Sequence, residues 1–432
     1  MSPPTPPSRA DLEAHQLVRL RALLAVLTSG NRFYQPRLAA AGLGAEVESL
    51  DAFRSRAPFT TKQEIVADQA ACPPYGSDLS FPLERYTRFS QTSGTTGAPL
   101  RWLDTPESWE GMLDNWRRVY EAAGVSGGDR VLFAFSFGPF LGFWTAFEAA
   151  CRLGCLCIPG GGLSSSARLQ AVMVNRVSVL CCTPTYALRL AEVAAADGLD
   201  LGESAVRALI VAGEPGGSIP ATRARIEQCW PGARVFDHHG MTEVGPVSYP
   251  CPRRPDRLHV MENAFLAEVV DPWSGRPAPP GEPGELVLTT LARVGSPLLR
   301  YRTGDVVRPV IESPCACGSY ELGLDGGILA RTDDMVCIRG VNVYPGAVDQ
   351  IVRGCDGVAE YRVEVMQAAA QAELRVCVEP SAGCAEPGGL AGAVEKALRD
   401  ALALRVPVII VPPGTLPRFE MKARRWVRVE TV

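Results

Sequence analysis

No long hydrophobic run is present in this sequence. None of its 432 residues falls in a stretch approaching the ~18 uninterrupted apolar residues of a membrane span. The longest candidates, around Val131–Phe147 and Val406–Val411, are broken by glycine, proline or polar residues. The segment Met1–Arg9 is proline-rich and has no apolar centre of the kind a secretion signal needs. An excess of charge is missing too: 43 Lys and Arg face 47 Asp and Glu, a net charge of −4. That balance excludes a basic nucleic-acid footprint. No internal repeat is visible, and a hydrophobic content of 47% excludes a disordered chain. What remains is a folded protein with room for two or three domains, expected in the cytoplasm without membrane or nucleic-acid partners.

Cysteine, by contrast, is plentiful, with 14 residues. Cys151, Cys155, Cys157, Cys181 and Cys182 lie in apolar surroundings and read as buried small hydrophobes. Without a secretion signal they are expected to stay reduced.

The most chemically loaded stretch is Ser90-Gln-Thr-Ser-Gly-Thr-Thr-Gly-Ala-Pro99. Its two glycines let backbone N–H groups approach a ligand, and its three threonines and two serines add hydroxyl donors. Such a loop suits anionic oxygens, above all phosphates. It is not a Walker A loop, since Gly94 and Gly97 are three apart and no Lys-Ser/Thr pair follows. On its own it reads first as an ordinary polar surface turn.

Around it, strands alternate with helices. The spacing predicts helices over Asp11–Leu27, Glu107–Ala123, Gly142–Leu153, Ser166–Asn175, Thr185–Ala196 and Ala221–Gln228, with strands between them at Arg130–Phe135, Cys155–Ile158, Val177–Cys182, Ala208–Ala212 and Arg234–Phe236. This alternation indicates an α/β domain with a largely parallel sheet, whose ligands bind beyond the carboxyl ends of the strands. Gly213-Glu214-Pro215 and His238-His239-Gly240-Met241-Thr242-Glu243 follow strands in that way. From about Leu258 the pattern becomes β-rich, and from near Ala330 a small α+β unit of about 100 residues follows. The expected division is an N-terminal core over 1–332 and a small, mobile C-terminal domain over 333–432.

Several motifs then occur in one order: Thr92–Pro99, Gly240-Met-Thr-Glu243, Tyr301-Arg-Thr-Gly-Asp305, Arg331-Thr-Asp-Asp334 and a late Lys422. Taken together they resemble the adenylate-forming (acyl-CoA synthetase-like) superfamily over nearly the whole chain. Within it the resemblance is to phenylacetate–CoA ligases, through Pro58–Lys62, Cys182–Tyr186, Gly213–Pro215, Glu285–Leu291 and Ile338–Pro345.

That resemblance implies a two-step reaction, in which a carboxylate attacks the α-phosphorus of ATP and a thiol then displaces AMP. Ser93, Gly94, Thr95, Thr96 and Gly97 would hold phosphates, Glu243 would hold Mg²⁺, and Thr242 would lie near the α-phosphate. Gly213, Glu214, Pro215, Asp237, His238, His239, Gly240 and Met241 are assigned with them to the nucleotide. Asp305 would take the ribose hydroxyls beside Arg331, and Lys422 would bridge carboxylate and α-phosphate. Asp333 stands at the superfamily's domain hinge, and Gly340 would line the path of the thiol, that of coenzyme A. By local sequence alone, Lys422 is simply a solvated lysine in a basic tail. The implied product is an aryl-CoA with AMP and pyrophosphate. Transfer to a carrier-protein thiol or an amine is the alternative, and the sequence is compatible with a homodimer. Two positions depart from the family pattern: Ala98 stands where lysine is common, and His239 where a tyrosine usually packs on adenine.

Two further constellations remain. Cys251, His259, Cys315 and Cys317 are either a closed Cys₃His set for structural Zn²⁺ or loop thiols beside a surface histidine, and the resemblance favours zinc. Phe137, Gly138, Phe140, Phe143 and Trp144 follow the Val131 strand, either as core packing or, by family position, as the walls of a pocket for a small aryl or arylacetic acid.

Overall fold

The computed structural model describes residues 8–92, 99–310, 312–332, 334, 336–338, 341–368, 371–381, 384, 386–419 and 423–429. The chain opens with four helices, α1 (Arg9–Gly30), α2 (Gln35–Ala40), α3 (Leu50–Arg56) and α4 (Lys62–Ala71). Helix α4 begins in a capping box, Thr61 and Glu64 each satisfying the other's backbone N–H. A hairpin follows, β1 (Arg88–Gln91) and β2 (Arg101–Asp104), then α5 (Pro106–Ala122).

The alternating region is β3 (Arg130–Phe133), α6 (Leu141–Leu153), β4 (Leu156–Pro159), α7 (Ser165–Val174), β5 (Val179–Cys182), α8 (Pro184–Ala196), β6 (Ala208–Val211), α9 (Pro220–Cys229) and β7 (Arg234–Asp237). Its five strands form a parallel sheet in the order β4-β3-β5-β6-β7. Side chains alternate between the two faces of a strand, and here both faces are covered. Val131, Phe133, Val179, Cys181, Ala208 and Ile210 join one core, with α1, α5 and α6. Leu132, Leu180, Cys182, Leu209 and Val211 join a second, under α7, α8 and α9. This is why the strands read as unbroken apolar runs.

The chain continues with β8 (Gly240–Met241), β9 (Gly245–Pro246), β10 (Ser248–Pro250), β11 (Arg257–Val260), β12 (Phe265–Val270), β13 (Gly284–Thr290), β14 (Tyr301–Pro309) and β15 (Gly323–Arg331). Strands β10 to β15 build an antiparallel six-stranded sheet in the order β10-β11-β15-β14-β13-β12. A third, separate core runs from Ile338 to Trp426. It belongs to β16 (Val336–Ile338), β17 (Val341–Val343), α10 (Pro345–Arg353), β18 (Val358–Ala368), β19 (Gln371–Pro380), α11 (Pro387–Leu402), β20 (Val408–Ile410) and β21 (Trp426–Val429). The molecule is thus a large α/β body with antiparallel additions and a smaller α+β unit.

One expectation is corrected. Cys151 is exposed and Cys157 only half-buried. Helix α6 buries Ala146, Ala149 and Ala150, and Cys151 lies about 100° further round it, toward solvent. No helix among the described residues is long and apolar enough to cross a membrane.

Candidate active site

The phosphate-type loop joins β1 to β2, whose register places Gln91 opposite Arg101. Thr92 closes its base: its N–H donates to the Leu100 carbonyl at 2.9 Å, and its Oγ1 accepts from the Leu100 N–H at 3.0 Å. Ser93, Gly94, Thr95, Thr96, Gly97 and Ala98 lie outside the described residues.

At the end of β7, Asp237 and the following His238 turn inward. Asp237 accepts from the Ser218 hydroxyl at 2.5 Å and from the His238 N–H at 3.0 Å. Burial raises its pKa, and the Ser218 hydroxyl acts against that shift. Gly327, at φ +63°, packs against this pair; a Cβ there would sit 2.6 Å from Ser218 Oγ. The His238 ring lies 4.3 Å from that of Trp116, and its Nδ1–H donates to the Ser248 carbonyl at 2.7 Å. Burial pushes its pKa down to about 4, so it is a neutral core histidine.

His239 faces the other way. Its Nε2 is 2.9 Å from Asp305 Oδ2, while Arg331 Nη1 donates to Asp305 Oδ1 at 3.0 Å. The β14–β15 register sets Asp305 directly opposite Arg331. Gly304, at φ +76°, leaves room for the guanidinium, which would lie 2.9 Å from a Cβ. With a carboxylate as acceptor, Nε2 of His239 carries the proton, and its buried Nδ1 has no hydrogen-bond partner among the described residues. Asp305 is therefore held at both oxygens, with lone pairs left over for two hydroxyls.

Gly240 and Met241 pair with Gly245 and Pro246, so Thr242, Glu243 and Val244 form the tip of a small hairpin. Arg293 grips this tip from behind. Its Nη1 donates to the carbonyls of Thr242 at 2.7 Å and Glu243 at 2.8 Å, while Nε and Nη2 hold Asp104, each at 2.7 Å. Burial, and then the charge of Glu243, hold the Tyr301 phenol well above its ordinary pKa.

The aromatic segment adjoins the hairpin base through Gln91 N–H donating to the Pro139 carbonyl at 2.8 Å. Phe135 stacks on Phe143 at 4.1 Å and 12°, Phe137 meets Trp144 edge-on at 5.1 Å, and Phe140 meets Phe143 at 6.0 Å. Trp144 is 41% exposed, and its Nε1–H donates to the Gly138 carbonyl at 2.9 Å. The ring contacts fall into two sets beside β3, Phe135 with Phe143 and Phe140, and Phe137 with Trp144, Phe147 and Phe133.

Glu214 belongs to neither group: its carboxylate accepts from the backbone N–H groups of Thr185 and Ala423, each at 2.8 Å. Gly213 adopts φ +95° beside it, ahead of Pro215. Asp333, Gly340 and Lys422 lie outside the described residues.

The metal-type residues converge on one side of the six-stranded sheet. The ligand atoms of Cys251, His259, Cys315 and Cys317 lie within 4.8 Å of one another. Cys251 Sγ is 3.8 Å from Cys315 Sγ, and Cys317 Sγ is 3.3 Å from His259 Nε2. Zn–S bonds of about 2.3 Å at a tetrahedral angle place sulfurs about 3.8 Å apart, so the set fits the ion. The donor geometry also suits it: His259 Nδ1 faces the Glu321 carbonyl at 3.3 Å, leaving Nε2 toward the thiols. Arg257 Nη1 sits 3.1 Å from Cys315 Sγ. Burial opposes ionisation of Cys315, but the Cys317 backbone amide and Arg257 outweigh it and lower the thiol's pKa.

Sequence reasoning missed Arg293, Asp104 and Ser218, because each acts through a partner far along the chain. Gly124-Val-Ser-Gly-Gly128 has the spacing of a serine-hydrolase elbow. It precedes β3, however, and the Ser126 N–H is tied to Asp129 at 2.8 Å.

Comparison with known proteins bears on this arrangement directly. Residues 89–291 match the family of AMP-binding enzymes, and residues 340–428 match the AMP-binding enzyme C-terminal domain. A phenylacetate-coenzyme A ligase of Thermus thermophilus is 31% identical over 95% of this chain and 95% of its own. A crystal structure of 2-hydroxyisobutyryl-CoA ligase in the postadenylation state superposes with a TM-score of 0.92 at 28% identity, covering 98% of this chain and 90% of that one. The same ligase in its thioesterification state, with 2-HIB-AMP and CoA, gives a TM-score of 0.74 at 29% identity, covering 99% and 91%. The domains here are therefore disposed as in the postadenylation state. The chain belongs to the adenylate-forming superfamily, as an AMP-forming acid–thiol ligase closely related to the phenylacetate–CoA ligases.

Proposed function

We propose that this ligase activates a small aryl or arylacetic acid and passes the acyl group to coenzyme A. The observation that carries the reading is the concentration of rings after β3, Phe135 with Phe143 and Phe140, and Phe137 with Trp144 and Phe147, on a loop bonded at Pro139 to the base of the Ser/Thr/Gly hairpin. A flat acid bound there would lie beside the phosphates it must attack. Ring contacts favour a flat substrate by about 1 kcal/mol beyond simple burial.

In this reading Ser93–Gly97 cradle phosphate oxygens through backbone and hydroxyl donors, and Thr242 lies near the α-phosphate. Glu243 would hold Mg²⁺, which supplies neutralisation of charge on the phosphates when bound. Asp305, fixed by His239 and Arg331, takes the ribose hydroxyls. Lys422 brings a cation to the point where carboxylate and phosphate meet. Asp333 serves as hinge, and Gly340 leaves a path for the thiol. Cys251, His259, Cys315 and Cys317 hold zinc as a closed structural set, with no open position for substrate.

A second reading, a short branched hydroxy acid, is favoured by the likeness to 2-hydroxyisobutyryl-CoA ligase. Pyrophosphate exchange across benzoates, phenylacetates, short hydroxy acids and long fatty acids separates the two. Strongest exchange with the aryl acids, followed by CoA-dependent release of AMP, is the expected result. Exchange only with aliphatic acids overturns the aryl assignment, and acyl transfer without free CoA overturns the acceptor.

A further inference from the structure

Glu214 lies in the loop after β6, yet both its oxygens serve main-chain donors and neither serves another side chain among the described contacts. Oε1 accepts from Thr185 N–H in the first turn of α8, where a helix favours an anion. Oε2 accepts from Ala423 N–H in the small domain. One carboxylate therefore joins the large body to the main chain immediately after residue 422. The neighbouring contacts run the same way: Arg425 Nη1 reaches Thr185 Oγ1 at 3.4 Å while its Nε holds Glu360 at 2.7 Å. Elsewhere between the two units, Thr222 Oγ1 donates to Asp349 at 2.8 Å, and Arg418 Nε lies 3.3 Å from Glu192.

Of these contacts, the one from Glu214 is closest in sequence to the lysine, and it grips backbone. We propose that Glu214 is a positioning residue for adenylation, a latch that ties Ala423, the residue after Lys422 in sequence, to the large body in the present domain arrangement. The proposal rests on the adenylate-forming reading of Lys422. It also reassigns Glu214, since a carboxylate already spanning two N–H groups has a role that needs no nucleotide. The superposition agrees: this domain arrangement follows the postadenylation state of 2-hydroxyisobutyryl-CoA ligase and departs from its thioesterification state. A latch of this kind must release between the two half-reactions, and the half-buried carboxylate and its two N–H donors can take water in exchange.

The test is Glu214→Gln, which keeps the shape but turns an N–H₂ toward one of the two backbone donors. Misplacement of a reacting group by an ångström can cost about 100-fold, so pyrophosphate exchange should fall roughly 10- to 100-fold in kcat. The KM for ATP should hardly move, and thioester formation from a supplied acyl-adenylate and CoA should stay near wild type. Hydrogen exchange of the 423–429 amides should quicken in the variant, with protection of β18 and β19 unchanged. Equal loss in both half-reactions, a rise in the KM for ATP at constant kcat, or unaltered exchange at 423–429 would each overturn the latch. A wild-type protein that makes no adenylate from any acid would instead count against the ligase reading, while the 423–429 exchange still decides the contact.

Discussion

Replacing Arg293 by methionine tests whether the Thr242–Glu243 tip is held from behind. The Arg293 side chain is 2% exposed and that of Asp104 is fully buried. Methionine keeps the apolar stem but has no donor, so it strands one buried carboxylate and two carbonyls. Breaking one side of a buried ion pair costs about 3–5 kcal/mol, much of it the uncompensated charge. With unfolding entropy of ~2.1 cal/mol/K per residue over roughly 330 residues, a ~4 kcal/mol loss lowers Tm by about 6 °C. The double variant Arg293→Met with Asp104→Leu removes the stranded charge, and an apolar replacement of a whole buried pair is often neutral. It should therefore regain most of the lost stability. The donors to Thr242 and Glu243 remain missing, however, and pyrophosphate exchange should stay depressed by about 100-fold. Thermal melting followed by circular dichroism, together with the exchange assay, reads both quantities. A double variant that recovers stability and exchange alike would refute the reasoning, as would a single variant that melts with the wild type.

Four further outcomes are expected. Elemental analysis should find one zinc per chain, and Cys317→Ser should lower both zinc content and Tm, because metal binding is coupled to folding; a metal-free protein of equal stability sinks the site. Gly138→Leu should raise the KM for the acid at least ~10-fold more than that for ATP, since a Cβ there already meets the Phe140 ring at 2.9 Å; parallel changes would detach the ring cluster from the acid. Lys422→Ala should abolish adenylate formation and spare transfer from a supplied acyl-adenylate, and equal loss in both steps counts against its role. Burial, with the charge of Asp68 adding to it, raises the Asp78 carboxyl to about 7. The folded state thus binds its proton more tightly than the unfolded chain. Stability from this group is complete below the ordinary value of about 4 and is lost as pH rises through 7. Asp78→Asn should flatten that part of the profile, and an unchanged slope between those values would exclude the assignment.

The parallel sheet was legible because its inner strands β3, β5 and β6 are buried on both faces and so announce themselves as apolar runs, while β4 lies at the exposed edge. Strands β3 and β5 to β7 accordingly lie where the runs are, with ends displaced by a residue or two. Strand β14 was not read as a strand. Its opening Tyr301-Arg-Thr-Gly-Asp305 alternates buried and half-buried residues, with a glycine at φ +76° in the middle. Helix α10 was hidden by its Pro345-Gly346 start, which in isolation reads as a turn, and it buries only Gly346, Val348 and Val352. In the site, His238 and His239 are indistinguishable by residue type, yet one is core and the other faces Asp305. What separates them is the turn after β7, a tertiary matter. The Arg293 grip on Asp104 spans 189 residues, and no local pattern foreshadows it.

The strand order of the small sheet, β20-β19-β18-β21, has a consequence in time. Its edge is completed only when Trp426–Val429 pair with Val363–Met366 of β18. During synthesis the large body, with both of its cores, emerges first and can fold as a unit. The small sheet must wait for β21, and the lysine proposed to act at the phosphate lies in the link that leads into that strand. On the proposed roles, a half-made chain has the nucleotide platform without the cation that would use it. The order of translation itself keeps recognition ahead of chemistry.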